Sequence, residues 1–175
     1  MKTTLTLCAL AACLAAPAAL AMQADKLEVK TIAKKDGWEI RQFKINGKVE
    51  SCDAIMITGE EQALRFEHNA ESTSIGFMGL ASAANADPIS VAMTFGGSNA
   101  DPETAEMSLT TDLQDVTWRS YVTSNSEPDG LTDVFANAQS IDFTYATDEG
   151  EHTQKFTLKG TNAATKKVYA CAQGG

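Results

Sequence analysis

The sequence predicts a mainly β chain: an antiparallel β-sandwich or partly open barrel of about 8–10 short strands. A short helix is expected near 130–138 and a C-terminal helix near 162–172. Two observations carry this. Apolar and polar residues alternate with period two over short segments, and turn-forming pairs punctuate them. The connections are also too short for parallel crossovers, so neighbouring strands should run antiparallel.

Leu27 and Val29 suggest an edge strand. Trp38 and Ile40 alternate with Glu39 and Arg41, and residues 49–57 are apolar on both faces, the mark of a central strand. Leu64, Phe66 and His68 alternate with Arg65 and Glu67; Ile75 and Phe77 follow. Ile89, Val91, Met93 and Phe95 form the cleanest run. Met107 and Leu109 continue the series, and Val116, Trp118 and Val122 read as the next apolar stripe. Ile141, Phe143 and Tyr145 alternate with Asp142 and Thr144, and Phe156 and Leu158 close the series. Asn46-Gly47, Thr58-Gly59, Asp87-Pro88, Gly96-Gly97, Pro128-Asp129-Gly130 and Glu149-Gly150 supply the turns. Residues 148–152 should be a hairpin joining the last two strands.

The first helix would place Leu131, Val134, Phe135 and Ala138 on one face, with Asp129 as its cap. For the second, Gly160 breaks the preceding strand and Thr161 is the expected N-cap. Ala164, Val168, Cys171 and Ala172 then share one stripe, so Cys171 should face the sheet. Lys166 and Lys167 lie off that stripe, toward the helix end that favours cations.

Residues 1–21 read as a secretory signal peptide. Lys2 is followed by an apolar run from Leu5 to Ala16, and Ala19-Leu20-Ala21 has the form of a cleavage site. An alternative is a lipoprotein box, Leu10-Ala11-Ala12-Cys13, which would leave Cys13 lipidated. Cleavage after Ala21 leaves residues 22–175, one domain of ordinary size. Losing Lys2 takes the net charge from −9 to −10. Such a balance argues against nucleic acid and anionic membrane surfaces as partners, and the chain is not expected to span a membrane. Cys8 and Cys13 leave with the leader. Cys52 and Cys171 remain, and two cysteines in an exported domain are expected to form a disulfide. Two separate buried thiols are the alternative.

Trp38, Cys52, a β-rich middle, and then Phe156, Leu158, Gly160, Ala164 and Cys171 make a strand–Gly–helix–Cys closing element. In this arrangement the chain resembles small exported bacterial proteins of the invasion-associated locus B type. The resemblance implies a secreted or periplasmic β-sandwich and a role in host-cell association or envelope stress. It assigns no catalytic residue.

Chemistry motifs are sparse. Only His68 and His152 are available as histidine bases, and no G-x-S-x-G occurs. His68 continues a core face, and His152 sits in an acidic hairpin where solvent is expected. Glu60, Glu61, Asp101, Glu103, Asp148, Glu149 and Glu151 are abundant carboxylates in expected turns. Glycosidase chemistry needs two carboxylates at a fixed separation. Residues 125–130 have oxygens spaced as in a calcium loop, with Asp133 at the ninth position. Ala136 stands where the bidentate glutamate belongs, which favours a helix-capping turn. Residues 72–86 carry no charge. Ile75, Phe77, Met78 and Leu80 are therefore the candidate partner surface, against the alternative of a buried strand. No cofactor and no metal are expected. The leading expectation is an exported, non-enzymatic protein that binds a protein or a cell-envelope component. The alternatives are a carboxylate-dependent hydrolase of envelope glycan, or a structural or stress-related periplasmic protein.

Overall fold

The computed structural model describes residues 26–59, 61–79, 86–98, 101–126 and 130–174. The expected leader, its cleavage site and Cys13 lie outside them. The described residues form strands β1 (Leu27–Lys35), β2 (Trp38–Ile45), β3 (Lys48–Ile57), β4 (Ala63–Asn69), β5 (Ser72–Met78), β6 (Ile89–Gly96), β7 (Glu103–Thr111) and β8 (Thr117–Ser124). Helix α1 (Leu131–Asn137), strands β9 (Ser140–Thr147) and β10 (Gly150–Thr157), and helix α2 (Thr161–Ala172) follow among the described residues.

All ten strands belong to one antiparallel sheet that does not close, in the order β1-β2-β3-β4-β5-β8-β7-β6-β9-β10. Two meanders build it. β1 to β5 pair in sequence, and β6 to β8 return in reverse so that β8 joins β5 and β6 joins β9. The sheet curls until its halves face each other: Phe77 on β5 stacks on Phe143 on β9, centroids 4.3 Å apart. Such a pair adds about 0.5–1.5 kcal/mol beyond its buried area.

The period-two pattern sets the inner face. Trp38, Ile40, Cys52, Ala54, Leu64, Phe66, Ile75, Phe77, Val91, Met93, Ile141, Phe143 and Phe156 are all buried. α1 plugs the core, with Phe135 stacked on Phe66 and edge-on to Trp38. Leu131, Phe135 and Ala138 are buried, as the helical spacing predicts. α2 lies against β2, β3 and β4 and buries Ala164, Val168 and Cys171. Cys171 is bonded to Cys52, with Cα atoms 6.1 Å apart. Trp38 adds a second tie by donating its indole N–H to the Lys159 carbonyl at 3.1 Å.

Both helix caps differ from expectation. Gly130 and Gly160 occupy the N-cap positions, at φ 80° and 81°, with no side-chain cap bond; Asp129 lies outside the described residues. Thr161 is already inside α2, and its hydroxyl donates backwards to the Leu158 carbonyl at 2.6 Å. Gly160 has two reasons to be glycine. Its φ is left-handed, and an added Cβ would sit 2.6 Å from Cβ of Asp36 in the β1–β2 turn.

β8 reverses the sequence reading. Its register sets Arg119 opposite Phe77 and Tyr121 opposite Ile75, so these two face the interior. The stripe expected to be core, Trp118 and Val122, lies on the outer face, where Val122 is 49% exposed. Arg119 is tolerated inside because it is fully paired. It donates to Asp87 Oδ1 (2.9 Å) and to the Met107 and Ala86 carbonyls.

Candidate functional site

The outer face of β2, β3 and β4 is charged but dry. Arg41, Asp53 and Arg65 stand one per strand: Arg41 is level with Asp53 across the first hairpin, and Arg65, level with Ile55 across the second, reaches Asp53 diagonally. The Asp53 carboxylate is fully buried. It accepts from Arg41 Nε at 3.0 Å, Arg41 Nη2 at 2.6 Å and Arg65 Nε at 2.9 Å. Arg65 also ion-pairs with Glu67 at 2.8 Å. Burial pulls the Arg41 pKa down, but the bonds and charge of Asp53 outweigh it, so the pKa is raised.

Trp118 roofs this cluster. The Arg65 guanidinium carbon lies 5.5 Å from the indole centroid. The two strands involved, β4 and β8, are separated by β5, and the residue between them is Gly76. A Cβ at Gly76 would lie 2.6 Å from Ser120 Oγ and 3.5 Å from Trp118 Cβ. A side chain at this position would meet Ser120 first. The indole is fixed by its N–H bond to Asp112 Oδ2 at 3.0 Å. Asp112 Oδ1 in turn accepts from the Gln114 and Val116 amides, holding the β7–β8 turn. Gln114 reaches back to Arg41 Nη1 at 2.7 Å.

Beside this charged floor lies a cleft of about 200 Å³, walled by Ile55, Ile57, Ala63, Met78, Val116 and Trp118, with Arg41 and Asp112 at one side. A second cleft, about 280 Å³, lies between the β1–β2 turn and the same Ile55 and Ile57. Ile57 thus forms a ridge between two hollows. It is 71% exposed, the most exposed large apolar side chain among the described residues. Leu113, 38% exposed, lies in the β7–β8 turn.

The sequence-expected partner surface divides. Ile75 and Phe77 are 2% and 0% exposed, because the β5 pleat turns them into the core. They cannot form a surface, and the buried-strand alternative describes them. Met78 falls on the opposite face and lines the outer cleft. Leu80 lies outside the described residues. Ile57 was missed because the run 49–57 reads as uniformly buried.

The other candidates are placed as follows. His68 is half-buried on β4, its Nδ1 2.8 Å from Thr73 Oγ1 and its ring edge-on to Tyr169. His152, expected in solvent, is half-buried with its ring against Tyr145. Glu61, Asp101, Glu103, Asp148, Glu149 and Glu151 are exposed at turns and strand ends, and Glu60 lies outside the described residues. In the calcium-like segment, Asn125 is used structurally: its Nδ2 donates to the Asn69 carbonyl and its Oδ1 accepts from Thr73. Among the described residues, no group of three His, Cys, Asp or Glu side chains is placed to hold a metal. No helix among them is long and apolar enough to cross a membrane.

No family model, curated protein or solved structure matches the chain.

Proposed function

We propose that this chain is an exported, non-enzymatic β-sandwich protein that binds a partner protein of the cell envelope through the Ile57 ridge. The observation that carries the reading is the pairing of a 71%-exposed isoleucine with a rigid bed. An apolar ridge between two hollows is the shape that takes interdigitating side chains of a partner, and water leaves it at little cost. The charges below it are already paired, so docking strands none of them. Arg41 and Asp112 offer the polar margin that fixes orientation. Export through the leader supports an envelope partner, as does the resemblance to invasion-associated locus B proteins.

A photo-crosslinking residue at position 57, introduced in cells that export the protein, tests this. The expected result is a discrete covalent adduct with one envelope protein. The same residue at Ser90, an exposed position on β6, should give none. Identical adducts from both positions, or none from 57, would remove the reading.

A further inference from the structure

A cleft of about 240 Å³ opens on the inner face, where the ends of β4, β5 and β8 meet α1 and α2; His68, Thr73, Ser124, Asn125, Asp133 and Tyr169 contribute to its walls. It lies across the sheet from Ile57 and does not depend on that surface.

A chain of hydrogen bonds fixes the protonation of His68. The Asn69 carbonyl can only accept, so the group facing it at 2.9 Å is the Asn125 amide nitrogen. Asn125 Oδ1 then faces Thr73 and accepts a hydrogen bond from its hydroxyl at 2.9 Å. With its hydrogen committed to Asn125, the Thr73 oxygen accepts from His68 Nδ1 at 2.8 Å. Nδ1 therefore carries the hydrogen, and in the neutral ring Nε2 carries the lone pair. Burial lowers the His68 pKa, which favours that neutral ring. The tautomer is thus written into a backbone carbonyl two side chains away.

The surrounding chemistry narrows the ligand. Among the described residues, no lysine or arginine lines the cleft, which disfavours a phosphate or sulfate. Hydroxyls, one carboxylate and an imidazole acceptor supply mixed hydrogen bonding, and the Tyr169 ring supplies an apolar wall. We propose that this cleft binds a neutral, hydroxyl-rich group the size of one sugar ring, with His68 Nε2 accepting from a ligand hydroxyl.

The test uses the 15N-labelled exported protein, whose two histidines are His68 and His152. A long-range proton–nitrogen spectrum at neutral pH should show His68 protonated at Nδ1. Titration with N-acetylglucosamine as probe should then shift the Nε2 resonance saturably, while inorganic phosphate and ethanolamine do not. His68→Phe should weaken the sugar roughly tenfold, the scale of one lost hydrogen bond. The proposal fails if the free protein carries the proton on Nε2, which needs no variant to establish. It also fails if the sugar produces no saturable shift, if phosphate or ethanolamine shifts the resonance instead, or if His68→Phe binds the sugar equally well.

Discussion

Cys52 and Cys171 are bonded across 119 residues of chain, joining the third strand to the last helix. The bond closes the chain from the middle of β3 to the end of α2 into one long loop, so its main effect is on the unfolded ensemble. Replacing either cysteine by serine should lower stability by about 2–5 kcal/mol, read from urea melts. α2 should also become cleavable after Lys166 or Lys167, both exposed, before the sheet unfolds. Two titratable thiols in the unfolded, unreduced protein would contradict the bond.

Arg65→Ala should be costly, whereas Arg65 would be expected to be inconsequential if it pointed to water. The substitution leaves Asp53 fully buried with Arg41 alone and removes the guanidinium from beneath Trp118. A loss of about 3–5 kcal/mol is expected for breaking a buried pair. The triple variant Arg41→Met, Asp53→Leu and Arg65→Met removes the buried ions together and should recover much of it. If the single variant melts like the parent, the cluster is solvated in solution.

Gly160→Ala should destabilise by more than the ~1 kcal/mol ordinary for a lost left-handed glycine, because the new methyl also meets Asp36. Pairing it with Asp36→Gly removes the contact but not the backbone strain. A double-mutant cycle should therefore show coupling between 160 and 36; strict additivity would show that the turn moves away freely.

Stability should fall as pH drops below about 6.5, through His68. Burial holds its folded pKa below the ordinary value of 6.5. The unfolded chain thus takes up this proton first, which favours unfolding as pH falls. The contribution is complete above the unfolded pKa and disappears as pH passes through the folded one. Denaturant melts between pH 7.5 and 5.5 should show the slope in the parent and a flatter profile in His68→Gln. Equal slopes would place the titration elsewhere.

Intact mass of the exported protein should correspond to an N-terminus at Met22, the residue after Ala19-Leu20-Ala21. A lipidated species beginning at Cys13 would show that the lipoprotein box is used instead.

The alternation in Ile89–Phe95 and Ile141–Tyr145 specified strands and faces because each has only one apolar side. The stripe of α2 placed Cys171 against the sheet for the same reason. β8 could not be oriented that way. It carries apolar residues on its outer face and an arginine inside, and only its pairing with Phe77 decides which face is which. The outer cluster did leave a trace. Arg41, Asp53 and Arg65 recur at intervals of twelve, a spacing that sets Arg41 level with Asp53 across one hairpin and leaves Arg65 one diagonal step from it across the next. Period-two reasoning assigns such charges to solvent, because the roof that covers them arrives from Trp118, four strands away from β2 in the sheet. Ile57 was hidden for a related reason: its strand is buried along its middle and emerges only at its end.

The strand order has one last consequence. β1 and β10 end the sheet, and β1 presents a nine-residue margin of main-chain groups with nearly every side chain in water. Such a margin is a template on which a second copy could zip itself, and copies could then accumulate into fibres. Lys30 and Lys35 set positive charge on that margin, and the slip in register between Thr31 and Ala33 breaks its straight run. On a sheet left open at its edge, ammonium groups and one misaligned residue are the features that oppose such zipping.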